Sequence, residues 1–353
     1  MGFKIENISY NCQLDKHGIM TLSHLRKVFF LLAGMVCVGE SAFAQDPIFS
    51  QFYANPLYLN PALAGVERCP RVILNYRNQW PGIDNGGGNY VTYSASYDQH
   101  VDALSGGLGL LLLHDREGAN GIFKTTRASL IYSYNLAVNR KLSMRFGLEA
   151  TYFNKAIDWS QLTFGDMIDE RYGFIYPTNE TPVNSSVQNV DFSGGWLAYT
   201  KFFYGGFAVH HLTEPNETFL LGEETKLPRK LTAHMGFVLP INKRYPKEGA
   251  ISPNILFQQQ GQEFSGNPNA RQLYLGMYGY KGPIVGGIWY RAKDAFIVLV
   301  GIHTDYLRFG YSYDITTSKL TNESGGSHEI SLALLFDCKP QRKRFRPIAC
   351  PKF

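Results

Sequence analysis

The feature that most constrains this chain is a two-residue alternation that recurs in segments of about ten residues. No apolar run after Gln45 is long enough to cross a membrane as a helix, which takes about 20 residues. In 141–153, Leu142, Met144, Phe146, Leu148, Ala150 and Tyr152 share one face, and Ser143, Arg145, Gly147, Glu149 and Thr151 share the other. Leu307, Phe309, Tyr311 and Tyr313 alternate with Arg308, Gly310 and Ser312. Ile330, Leu332, Leu334 and Phe336 alternate with Glu329, Ser331, Ala333 and Leu335. One apolar face and one polar or small face, repeated, suits strands with lipid on one side and a polar lumen on the other. A soluble sandwich with an aromatic core shares the alternation. Strand length, an export leader and a heavy aromatic load favour the membrane barrel.

Fourteen segments carry the pattern: 71–79, 89–99, 107–114, 124–137, 141–155, 190–200, 201–211, 230–240, 251–260, 270–281, 283–292, 295–303, 305–315 and 327–337. The fold class expected is therefore all-β, an antiparallel transmembrane barrel of about 14 strands. An even count puts both termini on the same side, the periplasmic one in bacterial barrels. Connections after odd strands should be long and extracellular, 156–189 longest, and those after even strands short; 292–295 and 241–250 break this rule. Trp80, Tyr90, Tyr97, Tyr132, Tyr134, Tyr152, Trp196, Tyr199, Trp289 and Tyr290 lie near strand ends, where rings suit the bilayer interfaces.

Residues 1–44 read as a leader. Arg26 and Lys27 precede the apolar run Val28–Val38, and Ala42-Phe43-Ala44 forms a cleavage pattern before Gln45. Met20 is an alternative start, since Met20–Ala44 has a normal signal length. A lipid anchor at Cys37 is disfavoured by Val36, where a small residue is wanted. Three cysteines remain after the leader, Cys69, Cys338 and Cys350, enough for one internal disulfide and one free thiol. Cys338 with Cys350, or Cys69 with either, are the open pairings, and the spacing does not fit zinc.

The formal charge of +5 is concentrated in 337–353, where Lys339, Arg342, Lys343, Arg344, Arg346 and Lys352 face Asp337 alone. The body is near neutral, so a nucleic-acid partner is not expected. The basic end is either a solvated tail or a contact for an acidic partner, anionic lipid or cell-wall material. The stretch 45–70 is too polar and proline-broken for a strand. Asn55-Pro56 and Asn60-Pro61 impose turns, and with Phe49, Phe52, Tyr53, Tyr58 and Leu63 the stretch can form an aromatic plug in the barrel or across its mouth. A simple ordered lead-in to the first strand is the alternative. The domain reading is a 1–44 leader, a 45–70 plug or lead-in, a 71–337 barrel and a 338–353 basic tail.

No catalytic constellation stands out, and no cofactor or metal is expected. His210-His211 on one strand would point to opposite faces. His114-Asp115 is expected to begin a loop. The long loop 158–189 holds Trp159, Asp166 and Asp169-Glu170, and it is either a polar cover or a docking surface.

QDPIFSQFYANPLYLNPALAG (45–65), NYRNQWP (75–81), VTYSASYD (91–98), YSYNL (132–136), LEATYFNKAIDW (148–159), LTFGDMID (162–169) and HEISLALLF (328–336) together resemble the PorP/SprF family of type IX secretion and gliding proteins. The resemblance implies a non-enzymatic outer-membrane barrel in Bacteroidetes-type bacteria. It implies partners too: an exported substrate with a C-terminal sorting domain, and periplasmic ring or peptidoglycan-linked components. Outer-membrane lipid surrounds such a barrel. Candidate plug or partner-binding residues are Gln51, Tyr53, Asn55, Pro56, Asn60, Pro61, Trp159, Asp166, Arg342, Lys343 and Arg344. The rival is a FadL-like channel for hydrophobic molecules, which Asn60, Pro61 and Ala62 also resemble. An outer-membrane hydrolase would need a Ser–His pair within hydrogen-bond reach.

Overall fold

The structure, a computed structural model, describes residues 46–83, 90–118, 121–169, 171–178, 184–219, 225–242, 248–261, 271–317 and 324–337. The chain divides into two units at Ala44/Gln45, and every described residue belongs to the second. The tail residues Arg342, Lys343 and Arg344, Glu170 and the leader lie outside the described residues.

Among the described residues, fourteen long strands form one antiparallel sheet. They are β1 (Arg71–Gln79), β2 (Tyr90–Val101), β3 (Gly106–Glu117), β4 (Phe123–Ala137), β5 (Ser143–Ile157), β6 (Ser186–Tyr199), β7 (Phe203–His210), β8 (Lys230–Phe237), β9 (Gly249–Gln260), β10 (Arg271–Lys281), β11 (Ile284–Arg291), β12 (Ala295–His303), β13 (Leu307–Thr316) and β14 (Ser327–Leu335). Neighbours in sequence pair in space, and β1 pairs with β14 from Arg71↔Leu335 to Gln79↔Ser327. The ring is thereby closed and has no open edge. The short strand Leu239–Pro240 adds two pairs to β9.

The alternation sorts side chains between two solvents. Leu130, Leu148 and Ile284 are each 68% exposed on the outer face, whereas Ser143, Arg145, Ser312, Asp314 and Glu329 are buried on the inner one. With lipid outside, apolar positions meet acyl chains, and the polar positions need partners within the lumen. No helix of the described residues is long and apolar enough to span a membrane. Short connections such as 282–283 and 304–306 gather at one end of the barrel, the turn end. Long ones such as 158–185 and 211–229 gather at the other, the loop end, where 292–294 is again the short exception.

Three local expectations need correction. Trp289 and Tyr199 are not interface rings: both are buried, facing into the barrel. His114 does not begin a loop, because β3 runs on to Glu117. His210 and His211 do not point to opposite faces. His211 has φ 59°, which breaks the strand after His210, and both rings are buried with centroids 6.4 Å apart.

Candidate functional site

The interior is the site, and residues 46–65 occupy it. Prolines keep this stretch out of the sheet: Pro56 starts the short helix Pro56–Leu59, and Pro61 starts the 3-10 turn Pro61–Leu63. Asn60 caps that turn, its side chain accepting from Ala62 N. A stretch this irregular leaves many backbone groups unpaired, and each buried one costs free energy unless bonded. The barrel wall supplies the partners. Asp98 accepts from Gly65 N, and Ser133 and Arg145 donate to the Ala64 carbonyl. Glu329 accepts from Ser50 N and Gln51 N at 2.7 and 3.0 Å.

The side chains are held as tightly. Gln51 donates to Ser312 Oγ and the Glu329 carbonyl, and Ser331 donates back to Gln51 Oε1. Asn55 donates to Ser94 Oγ. Asn60 donates to the carbonyls of Trp196 and Phe207 on adjoining strands, at 3.1 and 3.2 Å. Gly147 and Gly195 make the approach possible. A Cβ on Gly147 would run into the Pro61–Ala62 backbone, and one on Gly195 into the Asn60 carboxamide.

Rings fill the middle. Phe52 packs edge-on to Trp289, centroids 4.8 Å apart, and to Tyr274 at 5.7 Å. Tyr53 meets Tyr204 at 5.9 Å and Tyr278 at 6.1 Å. The resulting core also takes in Leu59, Ala62, Leu63, Leu197, Leu256 and Ile297. It lies inside the ring of strands, where a porin would hold water.

Two charged clusters brace the stretch. Arg77 pairs with Asp314 and Glu329 at 3.0 and 3.1 Å, Arg291 also reaches Asp314, and Ser50 Oγ donates to Asp314. Toward the loop end, Asp46 lies 2.7 Å from Arg127, 2.8 Å from His211 and 3.6 Å from Lys230. The other ring nitrogen of His211 meets Asp191 at 2.7 Å, so carboxylates take both nitrogens. Among the described residues no group of three or more His, Cys, Asp or Glu side chains is placed to hold a metal ion. The Asp46 cluster was missed in the sequence, although Arg127 and Lys230 interrupt strands at inward-facing positions.

Of the expected residues, Gln51, Tyr53, Asn55, Pro56, Asn60 and Pro61 are together in the lumen and buried. Trp159 and Asp166 lie apart from them, on the long loop at the loop end. Trp159 stacks on Phe164 at 6.4 Å, and Asp166 accepts from Thr178. Ile168–Asp169 pairs with Gly173–Phe174 in a small hairpin. Asp169 accepts from the backbone N–H groups of Arg171 and Tyr172 and from the Tyr176 hydroxyl. The Arg171 backbone bond first, then the tyrosine hydroxyl, hold its carboxyl below the usual aspartate range. Asp158 is lowered likewise, by the Ser160 hydroxyl and Gln161.

A family model described as type IX secretion system membrane protein PorP/SprF matches residues 41–334. The chain belongs to the PorP/SprF family. This PorP/SprF protein is thus a β-barrel member of a family of type IX secretion system membrane proteins. No curated protein matches it. Among solved structures it is similar to the Ralstonia pickettii toluene transporter TbuX at 12% identity, covering 80% of this chain and 93% of that one, with TM-score 0.46. A Pseudomonas aeruginosa FadL homologue gives 13% identity, 85% and 96% coverage and TM-score 0.44. BamA from Haemophilus ducreyi lacking POTRA domains 1–3 gives 9%, 76% and 71%, and 0.39. At these identities and TM-scores the similarity carries no argument.

Proposed function

We propose that this PorP/SprF protein works by binding, as a closed barrel that docks an exported protein at its loop end and secretion components at its turn end. What supports this reading is the burial of 46–65 among the described residues: its hydrogen bonds and rings fill the middle of the barrel, and we read the stretch as a plug. In this orientation both termini are periplasmic. The docking surface for exported cargo is the long loop, where Ile168, Tyr172, Phe174, Ile175 and Tyr176 are all at least half exposed. Large exposed apolar side chains on a hydrogen-bonded loop are typical of contact surfaces. The cargo expected is a type IX substrate with a C-terminal sorting domain. The partners at the turn end are periplasmic ring or peptidoglycan-linked components, reached through the basic tail.

The rival reading, passage of a hydrophobic molecule, has one observation on its side: an apolar cavity at the turn end. That cavity stops at Gln51, Tyr53 and Ala54, which form its ceiling. Isolation of the full-length protein from outer membranes in mild detergent, with mass spectrometry of what stays bound, tests the choice. Stoichiometric recovery of an exported protein or a periplasmic component is expected. A monomeric barrel carrying only a lipophilic small molecule would overturn the docking role.

A further inference from the structure

We propose that the turn-end connections 138–142 and 200–202 form a binding site for an anionic phospholipid, with Arg140, Lys141 and Lys201 taking its phosphate. All three side chains are exposed. Neither connection contains an aspartate or glutamate, and among the described residues no ion pair reaches any of the three. Like charges gathered without a counter-charge on the protein repel one another, and an anion from outside relieves that repulsion.

Register brings the cations together. β5 and β6 pair as far as Ser143↔Tyr199. Lys141 lies two residues before that pair and Lys201 two residues after it, so the two turns leave adjoining strands at one level. Each turn is fixed by a side chain of its own. Asn139 Oδ1 accepts from Lys141 N and Leu142 N at 2.8 and 2.9 Å, and Asn139 N donates to the Leu142 carbonyl. Thr200 Oγ1 accepts from Phe203 N at 3.0 Å, and Thr200 N donates to the Phe203 carbonyl. Asparagine and threonine hold tight turns in this way. The backbone under Arg140, Lys141, Lys201 and Phe202 is thereby set in advance, and binding has little of it left to order.

The wall next to the turns selects the occupant. Tyr134, Phe146, Trp196 and Phe207 are successive register partners across β4 to β7, which makes one aromatic row. Tyr134, Phe146 and Phe207 are exposed on the outer face. Aromatic rows of this kind sit at the level where acyl chains meet headgroups. Leu136 and Val138, also exposed, carry the apolar surface on to Arg140. At the second turn Phe202 is exposed, and Lys201 Nζ lies 5.3 Å from its ring centroid. An anionic lipid meets both surfaces at once, its phosphate on the cations and its chains on the apolar wall. Free phosphate or an acidic protein would use the cations alone. Each Lys or Arg at an anionic membrane surface contributes roughly a fivefold gain in partition, so three contribute roughly a hundredfold.

The test is native mass spectrometry of the full-length protein in mild detergent, titrated with dioleoylphosphatidylglycerol and separately with dioleoylphosphatidylcholine. Every variant is first shown to be folded by its heat-modifiable mobility. The wild type should retain phosphatidylglycerol in preference to phosphatidylcholine. Lys201→Gln should weaken that retention roughly fivefold, and Arg140→Gln, Lys141→Gln and Lys201→Gln together roughly a hundredfold. Lys201→Arg should retain it, and so should Lys281→Gln, which removes an exposed cation from another turn at the same end. Equal retention of the two lipids by the wild type, or the same loss in Lys281→Gln as in Lys201→Gln, would overturn the proposal. In a second arm, inorganic phosphate or a polyglutamate peptide competes with phosphatidylglycerol at constant ionic strength. Phosphatidylglycerol should stay bound. Its displacement by phosphate would mark a free-anion site, and by the peptide an acidic-protein site, and either would overturn the lipid assignment. Neither arm reads cargo binding, so failure here is distinct from failure of the docking role.

Discussion

Replacement of Asn60 by alanine should loosen the lumen stretch while leaving the barrel standing. Asn60 is fully buried. Its oxygen accepts from Ala62 N at 2.9 Å, its amide donates to the Trp196 and Phe207 carbonyls, and it meets His234 Nε2 at 3.3 Å. Asn60→Ala strands the Ala62 N–H in a dry site, a loss of about 1–3 kcal/mol, and removes further hydrogen bonds worth roughly 1 kcal/mol each. A total of about 3 kcal/mol corresponds to roughly a hundredfold rise in the open population of the stretch. Amide hydrogen exchange reads that population directly when opening and closing are fast. Amides in 46–65 should exchange about a hundredfold faster, and those of β5 and β6 should hardly change. Exchange in 46–65 within about threefold of wild type would refute the reasoning, as would equal loss of protection across the strands.

Gly147→Val should be worse than Asn60→Ala for the stretch, because the new side chain would run into the backbone of Pro61 and Ala62, which cannot rotate aside; limited proteolysis within 46–65 should become rapid, and a rate like wild type would count against the close approach. Arg77→Leu leaves Asp314 and Glu329 short of a cation in a dry cluster, a loss of about 3–5 kcal/mol. The temperature at which the folded band disappears in gel electrophoresis should fall. The long-loop hairpin should weaken in acid. The Asp169 carboxyl is lowered in the folded loop, so its stabilisation is present above the unfolded value near 3.9 and fades as pH falls below it. Exchange at Arg171 and Tyr172, corrected for its intrinsic pH dependence, should rise below about pH 4, and Asp169→Asn should abolish that change.

All fourteen strands were legible in the sequence, with errors of a few residues at their ends. The period of two is forced wherever lipid and lumen lie on opposite faces, so Leu148 and Glu149 declare their sides without help from distant residues. Asn55-Pro56 and Asn60-Pro61 likewise announced that 45–70 is no strand. The contacts made by that stretch were not legible. Asp46 meets Arg127, His211 and Lys230 only because ring closure brings their strands round to one place. Aromatic rings near strand ends were ambiguous for a different reason. Trp289 suits an interface or a core equally well by composition, and its contact with Phe52 decides the matter. The His210-His211 expectation failed on one backbone angle, since a strand pattern does not foretell a left-handed residue at its end.

Ion conductance of the purified full-length protein in a planar bilayer tests most directly whether the barrel is closed and works by binding. The filled lumen predicts no steady open level, and deletion of 46–65 in a barrel that still folds should create one. A steady open level in the full-length protein, unchanged by the deletion, would contradict the closed barrel and return the chain to the class of channels.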